Sequence, residues 1–100
     1  MNKEELIHII YLAIDDYNEL NQNAKIIKDE DTFLYGDNGN LDSLGLVNLI
    51  LSIEEKLMDK YNKNIILADD KAFSEENSPF KNISTLTKFI QKKVNEQQDK

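Results

Sequence analysis

Asp42-Ser43-Leu44 is where residue type and position together offer chemistry in this chain. The tripeptide lies in FLYGDNGNLDSLGLVNLILSIEEK, Phe33 through Lys56, where a loop containing Gly36 and Gly39 gives way to a sustained apolar period. A serine at a helix start has its hydroxyl beside unpaired backbone N–H groups and the positive end of the helix dipole. That field favours an anionic substituent, such as a phosphodiester, on the serine oxygen. Asp42 would repel such a phosphate, so its expected task is to cap the helix or to meet a modifying enzyme. Ser and Asp are also the commonest helix caps, and capping alone would account for the pair. A full capping box would place Glu or Gln three residues on; here Gly45 follows Asp42 and Leu46 follows Ser43 at that spacing. Capping and modification of Ser43 are compatible. Leu44, apolar in the first turn, is expected to face outward as a docking contact, and Gly45 to permit close approach.

Other chemistries find less support. There is no cysteine, which excludes a disulfide framework, a thiolate nucleophile and a thiolate metal site in the polypeptide; any thiol chemistry needs an imported thiol. A Ser-His-acid triad would require the single histidine, His8, to reach Ser43, and His8 lies off the apolar stripe of its helix, where solvation is expected. Asp29, Asp31, Asp37 and Asp42 crowd one loop, yet neither Asp29 nor Asp37 begins a segment with Gly at its sixth position and Glu at its twelfth, so no metal site is expected. Asp69-Asp70 reads as a cap and Glu54-Glu55 as a solvated pair or a partner contact. Tyr11, Phe33, Met58, Phe73, Phe80 and Phe89 are expected to pack the core.

The elements that must position Ser43 follow from periodicity. From Lys3 to about Gln22, Leu6, Ile10, Ala13, Tyr17 and Leu20 recur at three- and four-residue steps, the spacing of one helical face. Residues 23–42 lack any sustained period and form a long connection, with Ile26, Ile27, Phe33 and Leu34 available to pin it to the core. A second helix is predicted from Ser43 to about Tyr61, with Leu46, Leu49, Ile50, Ile53, Leu57 and Tyr61 on one stripe and Leu44, Val47, Leu51 and Met58 on an adjoining one. Asn62 and Asn64 end it, residues 65–67 look extended, and a short helix is predicted through Phe73. Ser78-Pro79 breaks the chain. A last helix is predicted from Ser84 to about Asn95 with Ile83, Leu86, Ile90 and Val94 on its apolar face, followed by a fraying polar tail from Glu96 to Lys100. The expectation is one all-α domain over residues 1–100, ordered from about 3 to 95: three main helices plus a short one, with a long first loop.

Composition limits partners. The formal net charge is −7, with 19 acidic residues against 12 basic ones that are all Lys. Such a surface disfavours nucleic acid and anionic membranes and favours basic protein surfaces. The first residues carry Glu4 and Glu5 where a signal peptide has basic residues, and no apolar run reaches the roughly 18 residues of a membrane span. A soluble, cytoplasmic monomer is expected.

The stretch from Phe33 to Lys56 resembles the modification-site region of acyl carrier proteins. In that family a Gly-containing loop leads into Asp-Ser-Leu at the start of the second helix. Asp42-Ser43-Leu44 matches that tripeptide, and Val47, Leu49, Ile53 and Glu54-Glu55 match the pattern behind it. The resemblance implies a helical carrier bundle whose Ser43 receives 4'-phosphopantetheine from coenzyme A, with Asp42 and Leu44 flanking the arm. It further implies that the chain is not itself an enzyme. A phosphopantetheinyl transferase would modify it, and acyl-loading and acyl-processing enzymes with basic surfaces would dock on Leu44, Val47, Glu54 and Glu55. An apolar pocket between the second helix and Phe73, Phe80, Ile83 and Leu86 would shelter the cargo. Gly45 and Asn48 stand where the family often has acidic residues, and Lys56 follows Glu54-Glu55, which points to a specialised pathway rather than housekeeping fatty-acid synthesis. The alternative expectation is an unmodified carrier-like interaction subunit.

Overall fold

The computed structural model describes residues 2–21, 26–35, 39, 41–67 and 79–98. Three helices account for most of them: α1 (Lys3–Leu20), α2 (Ser43–Tyr61) and α3 (Ile83–Gln98). Among the described residues there is no strand, and the isolated bridges Phe33 to Asn82 and Tyr35 to Leu41 are the extent of β pairing. The short helix predicted through Phe73 lies outside the described residues.

The starts of α1 and α3 and the end of α2 have local causes. Asn2 caps α1: its side chain accepts the Glu5 amide at 2.8 Å while the Glu5 carboxylate accepts the Asn2 amide at 3.0 Å, a reciprocal pair that satisfies two otherwise orphaned donors. Asn82 and Thr85 make the same exchange ahead of α3, at 2.8 and 3.1 Å. The α3 helix therefore begins at Ile83 and not at Ser84, and it continues to Gln98, beyond Asn95 where the apolar pattern stops. At the end of α2, Asn62 adopts the left-handed conformation (φ 54°, ψ 38°), which Asn tolerates better than other residues with a side chain.

Both α2 and α3 pack on α1. The core joins Leu6, Ile9, Ile10, Ala13 and Ile14 of α1 to Leu46, Leu49, Ile50, Ile53 and Leu57 of α2, and to Ile83, Leu86, Ile90 and Val94 of α3, with Phe80 fully buried beside them. The radius of gyration, 12.7 Å, is close to the roughly 13 Å of a packed 100-residue unit. Among the described residues no helix is long and apolar enough to cross a membrane.

The first connection is pinned as expected at two of four positions. Ile26 and Leu34 are buried, whereas Ile27 is 74% exposed and Phe33 is also on the surface. The backbone explains the division. Asn18 projects from α1 and clamps Ile26 through both of its peptide groups, accepting the amide at 2.7 Å and donating to the carbonyl at 2.9 Å. That clamp turns Ile26 inward and its neighbour outward. Leu34 is held between two other segments, donating to the Lys81 carbonyl at 2.7 Å and accepting the Leu41 amide at 2.8 Å; the alternation of an extended chain then leaves Phe33 outside. Leu20, expected on the α1 stripe, is 86% exposed because it is the last residue of the helix. Met58 is also exposed, Tyr11 and Phe89 pack on the core edge, and Phe73 lies outside the described residues.

Candidate functional site

The start of α2 is held by a short ladder of backbone bonds. The Ser84 amide donates to the Glu30 carbonyl, Ile83 to Thr32, Leu34 to Lys81 and Tyr35 to Phe80, at 3.0, 3.2, 2.7 and 3.1 Å. Leu41 then closes onto Leu34. The segment before α2 is thus stitched to the segment entering α3, and Asp42-Ser43 emerges one residue after the last rung.

Asp42 is the N-cap. Its carboxylate accepts the Gly45 amide at 2.7 Å and its carbonyl accepts the Leu46 amide at 2.9 Å. Ser43 is the first helical residue and is exposed. Its Oγ lies 3.2 Å from the phenolic oxygen of Tyr35, with either atom able to donate. Leu44 is 69% exposed, as its first-turn position predicts. Val47 is half-buried, and Leu51 and Met58 are exposed further along the same flank. With steps of three, four and seven residues from Leu44, these four side chains line one helical face.

Two positions differ from the expectations. Gly45 does not open the outer surface: it is buried, and a Cβ there would meet Asp42 Oδ1 at 3.1 Å, Leu41 Cδ2 at 3.3 Å and the Tyr17 hydroxyl at 3.4 Å. The close approach it permits is internal, from α1 and the preceding loop. Glu54 is half-buried and accepts the Leu67 amide at 2.6 Å, which ties the chain leaving α2 back onto that helix. Glu55, in contrast, is exposed.

No family model, curated protein or solved structure matches the chain. The site is therefore characterised by its own geometry. His8 is exposed on α1, and among the described residues no group of three or more His, Asp or Glu side chains is arranged to hold a metal ion. A cleft of about 360 Å³ lies between the end of α1 and the first half of α2, lined by Ala13, Asp16, Tyr17, Asn48, Leu49 and Ser52 among others. Ser52 is nine positions beyond Ser43, about half a turn round the helix at ~100° per residue, so the cleft opens on the other flank of α2 from the serine. The pocket expected around Phe80, Ile83 and Leu86 drew on Phe73 as well, and that residue lies outside the described ones. Tyr35 was not singled out by sequence reasoning. The available signal was an aromatic residue with a polar tip inside a Gly- and Asn-rich loop, eight residues before the serine.

Proposed function

We propose that this protein is an acyl carrier protein that holds carboxylate intermediates as thioesters on a 4'-phosphopantetheine arm attached to Ser43. The observation that supports this best is the head of α2, where an exposed serine directly follows the Asp42 cap and leads a flank of outward apolar residues beginning with Leu44. The residues fit the group. The hydroxyl is open to solvent, the backbone around it is fixed by the ladder to residues 80–84, and the arm would leave from the positive end of a helix. Asp42 sits at its root and Leu44 beside it.

The chain's own part in the reaction is to present a nucleophile. A separate phosphopantetheinyl transferase supplies the base and Mg²⁺ that let the Ser43 hydroxyl attack coenzyme A, and the arm contributes the thiol that the cysteine-free polypeptide lacks. The chain is then a substrate-presenting partner in the cytoplasm and not an enzyme. Docking falls to Leu44 and Val47 on the apolar flank and to Glu55 about three turns on at ~5.4 Å per turn; Glu54 adds charge to the same region while holding Leu67. The first turn of α2 carries no acidic residue, so partners that read a strongly acidic carrier helix should accept this one less well. That neutrality supports a carrier of a specialised pathway.

The same apolar flank would also serve an unmodified interaction subunit, and mass distinguishes the two. Intact mass after incubation with coenzyme A, Mg²⁺ and a broad-specificity transferase should rise by one phosphopantetheine, and Ser43→Ala should show no gain. An unchanged mass with several active transferases, or modification at Ser52, Ser74, Ser78 or Ser84, would falsify the carrier reading.

A further inference from the structure

Tyr35 is attached to the scaffold at every level except its tip. Its amide donates to the Phe80 carbonyl at 3.1 Å, it bridges to Leu41, and its ring packs against the core. Its phenolic oxygen lies 3.2 Å from Ser43 Oγ. The two residues are held by one ladder, since Leu34 beside Tyr35 bonds to Leu41 two residues before Ser43. Ser43 itself is an exposed side chain, and an exposed serine with no such partner rotates freely among three χ1 wells.

We propose that Tyr35 is a positioning residue for Ser43, holding its hydroxyl in one rotamer so that the oxygen is ready for group transfer. The proposal rests on the carrier reading for its chemistry. A phenol is the stronger acid of the two hydroxyls and so the better donor; donating to Oγ, it occupies one serine lone pair and leaves the other lone pair and the hydroxyl hydrogen directed away from the ring. In the transfer, Oγ bonds to the phosphorus of coenzyme A that carries the pantetheine, and the bond from that phosphorus to the leaving 3',5'-ADP oxygen breaks. The serine proton passes to the base of the transferase. Tyr35 gains and loses no bond. Its contribution is orientation, which lowers the barrier by removing a search among rotamers that the transition state cannot tolerate.

Two measurements test this, one of them independent of any transferase. In the unmodified chain the Ser43 Hα–Hβ couplings should report one χ1 rotamer, and in Tyr35→Phe they should average. Averaged couplings in the wild-type chain overturn the proposal, even where Tyr35→Phe fails to fold. In time courses of intact mass, Tyr35→Phe should lower kcat for modification about 3- to 10-fold, the worth of one neutral hydrogen bond, with KM for the carrier unchanged and the thermal midpoint nearly so. A raised KM at unchanged kcat would make Tyr35 a docking residue and overturn the positioning role, as would an unchanged kcat. Failure of every transferase to modify the wild-type chain instead removes the carrier reading, and the couplings still decide the role of Tyr35.

Discussion

Asp42 carries two features that a sequence cannot separate, a carboxylate charge and a cap. In the fold its oxygen accepts the Gly45 amide at 2.7 Å, so the cap is real, and the charge stands where a phosphodiester on Ser43 would repel it. Substitution separates the two. Asp42→Ala should cost about 1 kcal/mol, the usual worth of an N-cap, lowering the thermal midpoint by roughly 4–8 °C for a domain of this size. Asp42→Asn keeps the capping oxygen and should retain most of that stability. Equal losses in the two variants, read by thermal unfolding, would mean that the charge and not the cap holds the turn. Gly45 belongs to the same cluster: with Asp42, Leu41 and Tyr17 all within 3.1 to 3.4 Å of where its Cβ would lie, a larger side chain there would press on the cap itself.

At the scale of elements, α2 has two flanks with different tasks. The buried flank runs from Leu46 through Leu57 against α1. The outward flank carries Leu44, Val47, Leu51, Glu55 and Met58, and Glu54 stands at its edge with its carboxylate turned to the Leu67 amide. Glu54→Ala leaves the amide of a fully buried leucine without that acceptor, and should destabilise by about 1–2 kcal/mol. Glu55→Lys should leave the thermal midpoint within the small range of ordinary surface changes, while slowing modification at low salt and flattening its salt dependence, as rim charges do. Thermal unfolding and modification rates measured across a salt series separate the two. An unaltered rate and salt response for Glu55→Lys with an authentic partner would remove Glu55 from the docking surface.

For the whole molecule the dominant feature is self-repulsion. A formal charge of −7 on 100 residues is relieved locally, among the described residues, by the pairs Lys3 with Glu30, Lys28 with Asp15 and Lys56 with Asp16. Surface pairs of this kind contribute little individually. The general repulsion, however, is screened by salt, with a Debye length of about 10 Å at 0.1 M. The denaturation midpoint should therefore rise as neutral salt is added. A midpoint that falls steadily instead would mean that the three ion pairs outweigh the net charge.

Periodicity was enough to locate three helices, because an amphipathic face repeats at 3.6 residues whatever lies opposite it. The chain also announces its own punctuation: Asp42 and Asn62 bound α2 as their side-chain chemistry requires. Composition was likewise sufficient to exclude a polypeptide thiol. The partners of side chains that act across the chain were beyond reach. Nothing in the order of residues says that Asn18 clamps Ile26, that Glu54 holds Leu67, or that the Tyr35 phenol meets Ser43. Each of these pairs an ordinary polar side chain with a group 8 to 13 residues away, and such pairings are set by how loops close over a packed core. Leu20 and Ile27 failed as core residues for the same reason: hydrophobicity permits burial, but the end of a helix and the turn of a clamped loop decide which side chain has a core to enter.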